Sequence, residues 1–391
     1  MAEIMVELMT SRLIDVKEVF SRMDPKRMST ILSRDAKSSL YKVVDGMGEI
    51  QLPNIWSFVP QSALDECVLF LSDDIDRYTE GLMEELKENI EDVMDLKHLV
   101  VTTALTQKEL VVKMFQQIGK KEFVFIRLSG FYFGFLFGVI QSGLFYVYSA
   151  WWLLPVCGFL VGYATNWLAL KVIFSPIEPV QVGPFNAQGL FLKRQDEVSV
   201  MFAELSSEYF LKPEGMWGEI LQGARFYAFK DLVESYTYKY ISEYLGKAKL
   251  PALIYLGQEG LVQLSTKVSI RARRLSHPHT LSLNLCLIRP STSFFTLLHF
   301  RVSNANDPSI HQMASIILAD LPRLIPASYE YTEEAMQIRP TISQKLRELP
   351  PNEFEGVLHP VFQEDEFKLI LVGGVLGAAA GLLQVLSVVK I

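Results

Sequence analysis

Charge is what this sequence is short of. Only 21% of its 391 residues are Asp, Glu, Lys or Arg, against about 25% in an ordinary soluble protein. Half are apolar, and the mean hydropathy is +0.21. That balance excludes a disordered or fibrous chain. The formal charge of −7 leaves no excess of basic surface, the footprint of a general nucleic-acid binder, so no nucleic-acid partner is expected. Three cysteines, Cys67, Cys157 and Cys286, cannot form a disulfide framework. Motifs are missing too. There is no Walker A run, no His-Glu-x-x-His, no Gly-x-Ser-x-Gly, no EF-hand loop and no dinucleotide fingerprint. Carboxylates are plentiful but form no recognisable acid/base constellation. No catalytic residue, metal site or cofactor is expected, and the chain reads as a non-enzyme. The start, Met1-Ala-Glu-Ile, lacks the basic region of a secretory signal, and it is neither Arg-rich nor acid-poor like a transit peptide.

The shortage of charge is concentrated. From Leu128 to Leu170 there are 43 residues without one acid, lysine or arginine. A bilayer crossing needs about 20 apolar residues, so this stretch suits two crossings, placed at 129–148 and 152–171. Tyr146, Tyr148, Trp151 and Trp152 mark the turn, where amphipathic aromatics favour the membrane–water interface. A third uncharged run of 21 residues spans 369–389. The competing reading is a buried hairpin in a large soluble core. Lys120, Lys121 and Arg127 precede the hairpin, and Lys171, Lys193 and Arg194 follow it. The bias of basic residues toward the inner side puts residues 1–125 and 176–365 on the cytoplasmic side or its equivalent, with the C-terminus opposite.

The remainder patterns as helix. Residues 72–98 predict one amphipathic helix, with Ile75, Leu82, Leu86, Ile90 and Val93 near a 3.6-residue period and Ser72 as N-cap. Its other face carries ten acids, from Asp73 to Asp95. That face reads as solvated surface, with a basic partner or divalent cations as the alternative. Met1–Phe20 and Val198–Tyr209 are amphipathic; Leu99–Ile118 is less regular. Pro176, Pro179, Gly183, Pro184 and Gly189 mark a loop.

Three local matches recur in order, which predicts an internal duplication. Glu7-Leu8 pairs with Glu204-Leu205 at an offset of 197, and Tyr78-Thr79-Glu80 with Tyr331-Thr332-Glu333 at 253. Gly130, Gly134, Gly138 and Gln141 pair with Gly373, Gly377, Gly381 and Gln384 at 243. The jump in offset predicts a long insertion in the second copy. Residues 265–307, with six basic residues against Asp307 and seven serines, fit it. They read as a disordered insertion or a translated intron, with a basic patch for acidic lipids or RNA as the sharper alternative. His277, His279, Cys286 and His299 match no common zinc spacing.

The second crossing ends in Gly162-Tyr163-Ala164-Thr165-Asn166-Trp167-Leu168-Ala169-Leu170-Lys171-Val172-Ile173-Phe174, followed by Pro176. This resembles the signature of the membrane-protein family called domain of unknown function 445. Gly189 to Gln195 resembles that family's Gly-x-x-x-Lys-Arg segment, and Phe362-Gln363-Glu364-Asp365-Glu366 before Gly373-Gly374 resembles its C-terminal motif. The likeness covers about 150–391 without 265–307, and more faintly 1–141. It implies an integral membrane protein with a helical soluble domain between terminal membrane helices, in some members a thylakoid protein, and no established activity. By that comparison the first copy lacks its leading membrane helix, and the N-terminus is expected to be incomplete.

The expected architecture is thus mainly α: a multi-pass membrane protein with three spanning helices, helical soluble lobes and an internal duplication. Thr165, Asn166, Trp167, Lys171, Gln141 and Gln384 are candidate intramembrane polar or interfacial residues, either structural or lining a pathway. Gly130, Gly134, Gly138, Gly158, Gly162, Gly373, Gly377 and Gly381 are candidate helix-packing residues, because a four-residue spacing keeps each row on one face. The function expected is a non-enzymatic scaffold or tether, with the lipid bilayer, a protein bound by the lobes and further copies of the chain as partners. A transporter or channel component acting as an oligomer is the alternative.

Overall fold

The structure, a computed structural model, describes residues 10, 13–51, 56–58, 61–72, 74–148, 150–182, 185–243 and 308–388. The expected insertion at 265–307, with its three histidines and Cys286, lies outside the described residues, as does most of the helix expected at 1–20. Helices follow one another along the rest: α1 Val16–Ser21, α2 Pro25–Gln51, α3 Gln61–Ser72, α4 Ile75–Glu88, α5 Ile90–Val93, α6 Leu96–Thr106, α7 Lys108–Ile118, α8 Lys120–Val147 and α9 Leu153–Phe174. A hairpin of β1 Val180–Val182 and β2 Phe185–Ala187 comes next. Then come α10 Gln195–Tyr209, α11 Pro213–Gln222, α12 at 226–243, α13 Pro308–Leu324, α14 Tyr329–Met336, α15 Ile338–Glu348 and α16 Pro351–Val388.

The chain divides into two compact units. Unit 1 comprises residues 1–15, 97–212 and 337–391; unit 2 comprises 16–96 and 213–336. Each draws on both of the sequential lobes expected at 1–125 and 176–365. The cuts also fall at matching places: the entry into unit 2 at Val16 recurs 197 residues later at Pro213. Burial follows the same offset. Leu13, Ile14, Val19, Phe20 and Met23 are buried, and so are Phe210, Leu211, Met216, Trp217 and Ile220. Within unit 2, Phe20 and Trp217 meet edge to face at 6.3 Å, a favoured aromatic geometry.

Unit 2 is a layer of helices around α2, which packs on α3, α4 and α13. The helix expected over 72–98 is broken. Asn89 leaves helical geometry (φ −108°, ψ 20°) and its amide donates to the Glu85 carbonyl at 2.8 Å. An amide side chain that bonds nearby backbone offers the chain an alternative to continuing the helix. Ser72 is not an N-cap. It closes α3, and its hydroxyl donates to the Leu69 carbonyl at 2.7 Å.

Among the described residues, three helices are long and apolar enough to cross a membrane, and all lie in unit 1: Lys120–Val147, Leu153–Phe174 and the Glu366–Leu386 portion of α16. They outrun the expected segments. At about 1.5 Å per residue, α8 is about 42 Å long and α16 about 57 Å, against a hydrocarbon core of about 30 Å. The charge-free run expected at 369–389 is therefore the distal part of one helix that begins at Pro351. Large side chains on these helices point outward; Phe131 and Phe135 are each 71% exposed. A continuous apolar surface of this kind needs a cover of lipid or protein. Outside them, α10 packs on α15 through Phe202, Ala203, Ile342 and Leu346, all buried. The expected loop at 176–189 contains the antiparallel hairpin, in which Val180 faces Ala187 and Val182 faces Phe185. β-branched and aromatic residues suit that short ladder.

Candidate functional site

Of the segments that carry the resemblance, 162–176 and 189–195 meet along α9 and at its C-terminal end, with Gly373 and Gly374 of α16 against α9; the side chains of Phe362, Gln363, Glu364 and Asp365 lie outside the described residues. The seam between α9 and α16 is made by glycines. A Cβ on Gly158 would lie 2.2 Å from the Gly377 carbonyl oxygen, and one on Gly162 would lie 2.1 Å from that of Gly373. Gly377 would meet Gly158 at 2.0 Å, and Gly381 would meet the Leu154 oxygen at 2.3 Å. Backbones this close admit no side chain between them. In lipid, which offers no hydrophobic drive for association, such contact supplies the attraction.

Asn166 completes the seam. Its amide donates to the Leu369 carbonyl on α16 at 2.8 Å. Gly373 makes room for it, since a Cβ there would sit 2.3 Å from the Asn166 amide nitrogen. Gln141 of α8 reaches the Leu154 carbonyl of α9 at 3.4 Å. Thr165 is buried, and its hydroxyl finds no partner among the described residues. Trp167 is 49% exposed, and Lys171 is exposed in the last turn of α9. Gln384 is exposed on α16. Gly130, Gly134 and Gly138 are placed differently from the other glycines. An added Cβ at any of them meets nothing within 4 Å, because α9 turns its own small residues toward α16.

The Gly-x-x-x-Lys-Arg segment docks beneath α9. A helix end leaves its last carbonyls without intrahelical partners. Here Leu190 N–H donates to Val172 O at 3.2 Å and Phe191 N–H to Ile173 O at 3.1 Å. Gly189 is needed for that approach, since a Cβ would lie 2.7 Å from the Ile173 oxygen. Arg194 then ties the segment to α8 and α10. It donates to Glu122, which is buried, and makes two bonds to Glu197 at 3.0 and 3.1 Å. Lys121 adds bonds to Glu197 at 2.7 and 2.8 Å. Hydrogen bonds from Arg194 and Lys121 hold the Glu197 carboxyl at about 2. Burial works against the Arg194 charge, but its bonds to Glu197 and Glu122 outweigh that and raise its pKa.

Other partners at this junction carried little sequence signal. The Gln195 amide donates to the carbonyls of Leu346 and Leu349 at 2.9 and 2.8 Å, capping the end of α15. His359 of α16 stacks on Phe174 with ring centroids 4.4 Å apart. Its Nδ1 faces Glu355 and its Nε2 faces Glu366 at 2.8 Å. Glu355 and His359 lie four apart, so they share a face of the helix; that spacing was the one available clue. Among the described residues no group of three or more His, Cys, Asp or Glu side chains is arranged to hold a metal.

These are the chemical features of a joint: close backbone contact, capped helix ends and charges engaged with one another. Comparison with known proteins adds a name class and little more. A UPF0754 membrane protein of Bacillus cereus (strain AH187) is 39% identical over 62 residues, which cover 15% of this chain and 16% of the relative. UPF0754 membrane proteins of Bacillus thuringiensis (subsp. konkukian strain 97-27, and strain Al Hakam) match with the same identity and coverage. The match thus spans about one sixth of the relatives' own length. No family model matches the chain, and no solved structure matches it. The chain is a mostly helical protein with three candidate membrane-spanning helices, similar over a short stretch to proteins named membrane proteins.

Proposed function

We propose that this chain is a multi-pass integral membrane protein of the type called domain of unknown function 445, acting as a non-enzymatic scaffold or tether. The observation that carries the reading is the use made of intramembrane polarity. The Asn166 amide and the Gln141 amide each reach a backbone carbonyl of a neighbouring helix, and neither is left to line a path. Such bonds hold helices together. The duplication belongs to this proposal, supported by the recurring cut positions and the paired burial at an offset of 197. In this reading each copy passes from unit 1 to unit 2 and back before its final membrane helix. The helical surfaces outside the bilayer engage a protein partner, and the chain self-associates in the membrane.

Transport by an oligomer is the second reading. It is favoured by the buried Thr165 hydroxyl, which lacks a partner among the described residues and stands next to Asn166. Reconstituted vesicles separate the two. A scaffold gives no solute or ion flux above protein-free vesicles, and Asn166→Leu lowers thermal stability alone. Flux that Asn166→Leu abolishes in a folded protein would overturn the scaffold. The orientation is tested by protease protection of tags at residue 1 and in the exposed turn at 222–225, just after the buried Ile220. Both should fall on one side of the membrane, because basic residues flank the uncharged hairpin at each end.

A further inference from the structure

The hairpin of β1 and β2 leaves the end of one candidate membrane helix and returns to it. The 22 residues of α9 cover about 33 Å at 1.5 Å per residue, close to a hydrocarbon core of about 30 Å. Trp151 and Trp152 stand exposed before its first turn, and Lys171 is exposed in its last. With the tryptophans at one interface, Phe174 reaches the other, and the hairpin begins there. Both of its ends are pinned at that level. Gly189 N–H donates to Pro176 O at 2.9 Å, the Gln188 amide donates to Ile177 O at 3.2 Å, and Leu190 N–H donates to Val172 O on α9.

The register of the hairpin sorts its residues by polarity. Successive strand residues point to opposite faces, and directly paired residues share one. The pairs Val180–Ala187 and Val182–Phe185 fall on one face, and the pair Gln181–Asn186 falls on the other. One face is therefore apolar and the other carries amides. The apolar face is open at Val180, which is 49% exposed. Charge is scarce as well. Between Lys171 and Lys193 the one charged residue is Glu178, which lies exposed in the bend before β1. A lone two-stranded hairpin is marginal in water and needs a surface to pack on.

The distance to water decides how it lies. Upright, the six residues Ile177 to Val182 would reach up to about 20 Å from the boundary at 3.3 Å per residue. The headgroup layer is only about 5–8 Å deep, so the apolar face would stand in water. Flat, the same face rests on lipid and the Gln181–Asn186 face meets water.

We propose that this hairpin is an interfacial anchor, lying along the bilayer surface with the face of Val180, Val182, Phe185 and Ala187 at the boundary between headgroups and acyl chains. The physics is that of an amphipathic helix lying in the interface, carried here by a period of two. The surface it meets is lipid rather than protein, because the hairpin continues directly from the end of α9 and brings one charge to the boundary in 21 residues. The inference rests on the membrane-spanning reading of α9, and its test separates the two.

The full chain, with Cys67, Cys157 and Cys286 replaced by alanine, carries one fluorescently labelled cysteine in phosphatidylcholine vesicles. Lipids bearing a nitroxide near the headgroup or near the chain end quench it. Val180→Cys and Gln181→Cys alter neighbouring exposed positions. Leu160→Cys reports α9 near its middle, where Leu160 is 58% exposed. Position 160 should be quenched most by the deep nitroxide. Position 180 should be quenched by the shallow nitroxide about twofold more than position 181, because the two point to opposite faces. Phe185→Glu puts a charge on the apolar face, which lipid tolerates poorly, and should lower the quenching at 180 by about twofold while leaving that at 160 unchanged. Quenching at 160 with none at 180 would overturn the anchor and leave the membrane crossing standing. Equal quenching at 180 and 181, or undiminished quenching in Phe185→Glu, would overturn it as well. No quenching at 160 would mean that α9 does not cross the bilayer, and both readings would fall.

Discussion

Two helices of this chain carry the same row of glycines and use it differently. In α16, Gly373 and Gly377 lie against the α9 glycines, and Gly381 against the Leu154–Pro155 backbone, at distances that leave no room for a side chain. In α8, Gly130, Gly134 and Gly138 have the same spacing and face open space. A four-residue glycine row permits close approach but does not bring it about. The decision lies with the partner. Gly158 and Gly162 on α9 answer the α16 row, and Asn166 adds a hydrogen bond that fixes the register. α9 also packs on α8, but through other side chains, with Gln141 reaching Leu154.

The largest effect should come from breaking the closed row. Gly377→Leu places a side chain where a backbone carbonyl stands at 2.0 Å. Overpacking at such a site costs about 3 kcal/mol, read as lower thermal stability and aggregation on size-exclusion chromatography in detergent. The neighbouring Leu376 is 65% exposed, and Leu376→Ala should cost less than about 1 kcal/mol, as exposed positions do. Asn166→Leu should fall between. It removes one interhelical hydrogen bond, about 1 kcal/mol in a membrane protein, and a thermal-shift series would place it below Gly377→Leu. Gly134→Leu, at the open row, should change stability by no more than about 0.5 kcal/mol. A large loss there, together with loss of crosslinked dimer, would mean that a second copy covers this face.

The three candidate membrane-spanning helices were legible because a bilayer crossing demands a long uncharged run, and 128–170 and 369–389 supply such runs. The sequence made the residues of the α9–α16 seam visible through spacing and the Thr165-Asn166-Trp167 motif. It did not say which row closes on which, because that depends on two helices facing each other and a period belongs to one. The break at Asn89 was hidden for a related reason. The apolar period of Leu82, Leu86, Ile90 and Val93 runs through it undisturbed, since all four are buried whether or not the helix is continuous. The Arg194–Glu122 and His359–Glu366 contacts join residues that only the fold brings together. Nor does any pattern give the two units. A chain that enters unit 2 at Val16 and again at Pro213 shows repeats to the eye, not their pairing.

A smaller effect compares the charged junction of unit 1 with the cluster of unit 2 in which Asp320 accepts from Ser39, from Lys42, and from Arg323 at 3.0 Å. Burial alone would raise the Asp320 carboxyl, but these three donors prevail. Glu197 and Asp320 each have a folded pKa of about 2, below the unfolded values of about 4. Between those limits the unfolded state binds more protons, so stability rises with pH there. Both contributions are complete above about pH 5 and fade as the pH falls toward 2. The two carboxylates differ in exposure: Glu197 is 43% exposed and screened by solvent, Asp320 only 8%. Asp320→Asn should therefore flatten the acid limb of a stability–pH curve more than Glu197→Gln. The reverse order would mean that the junction beneath α9 outweighs the cluster in unit 2.

Crosslinking in native membranes tests the central claim, a seam between α9 and α16, most directly. With Cys67, Cys157 and Cys286 replaced by alanine, cysteines are placed at Phe159 and Gly374, whose contact brings a Cβ on 374 within 2.8 Å of the phenyl ring. A second chain carries them at Gly134 and Leu376, positions that face outward. A short bismaleimide should join 159 to 374 within one chain and leave 134 and 376 unjoined. Efficient joining of 134 to 376 within one chain, with none between 159 and 374, would contradict the account.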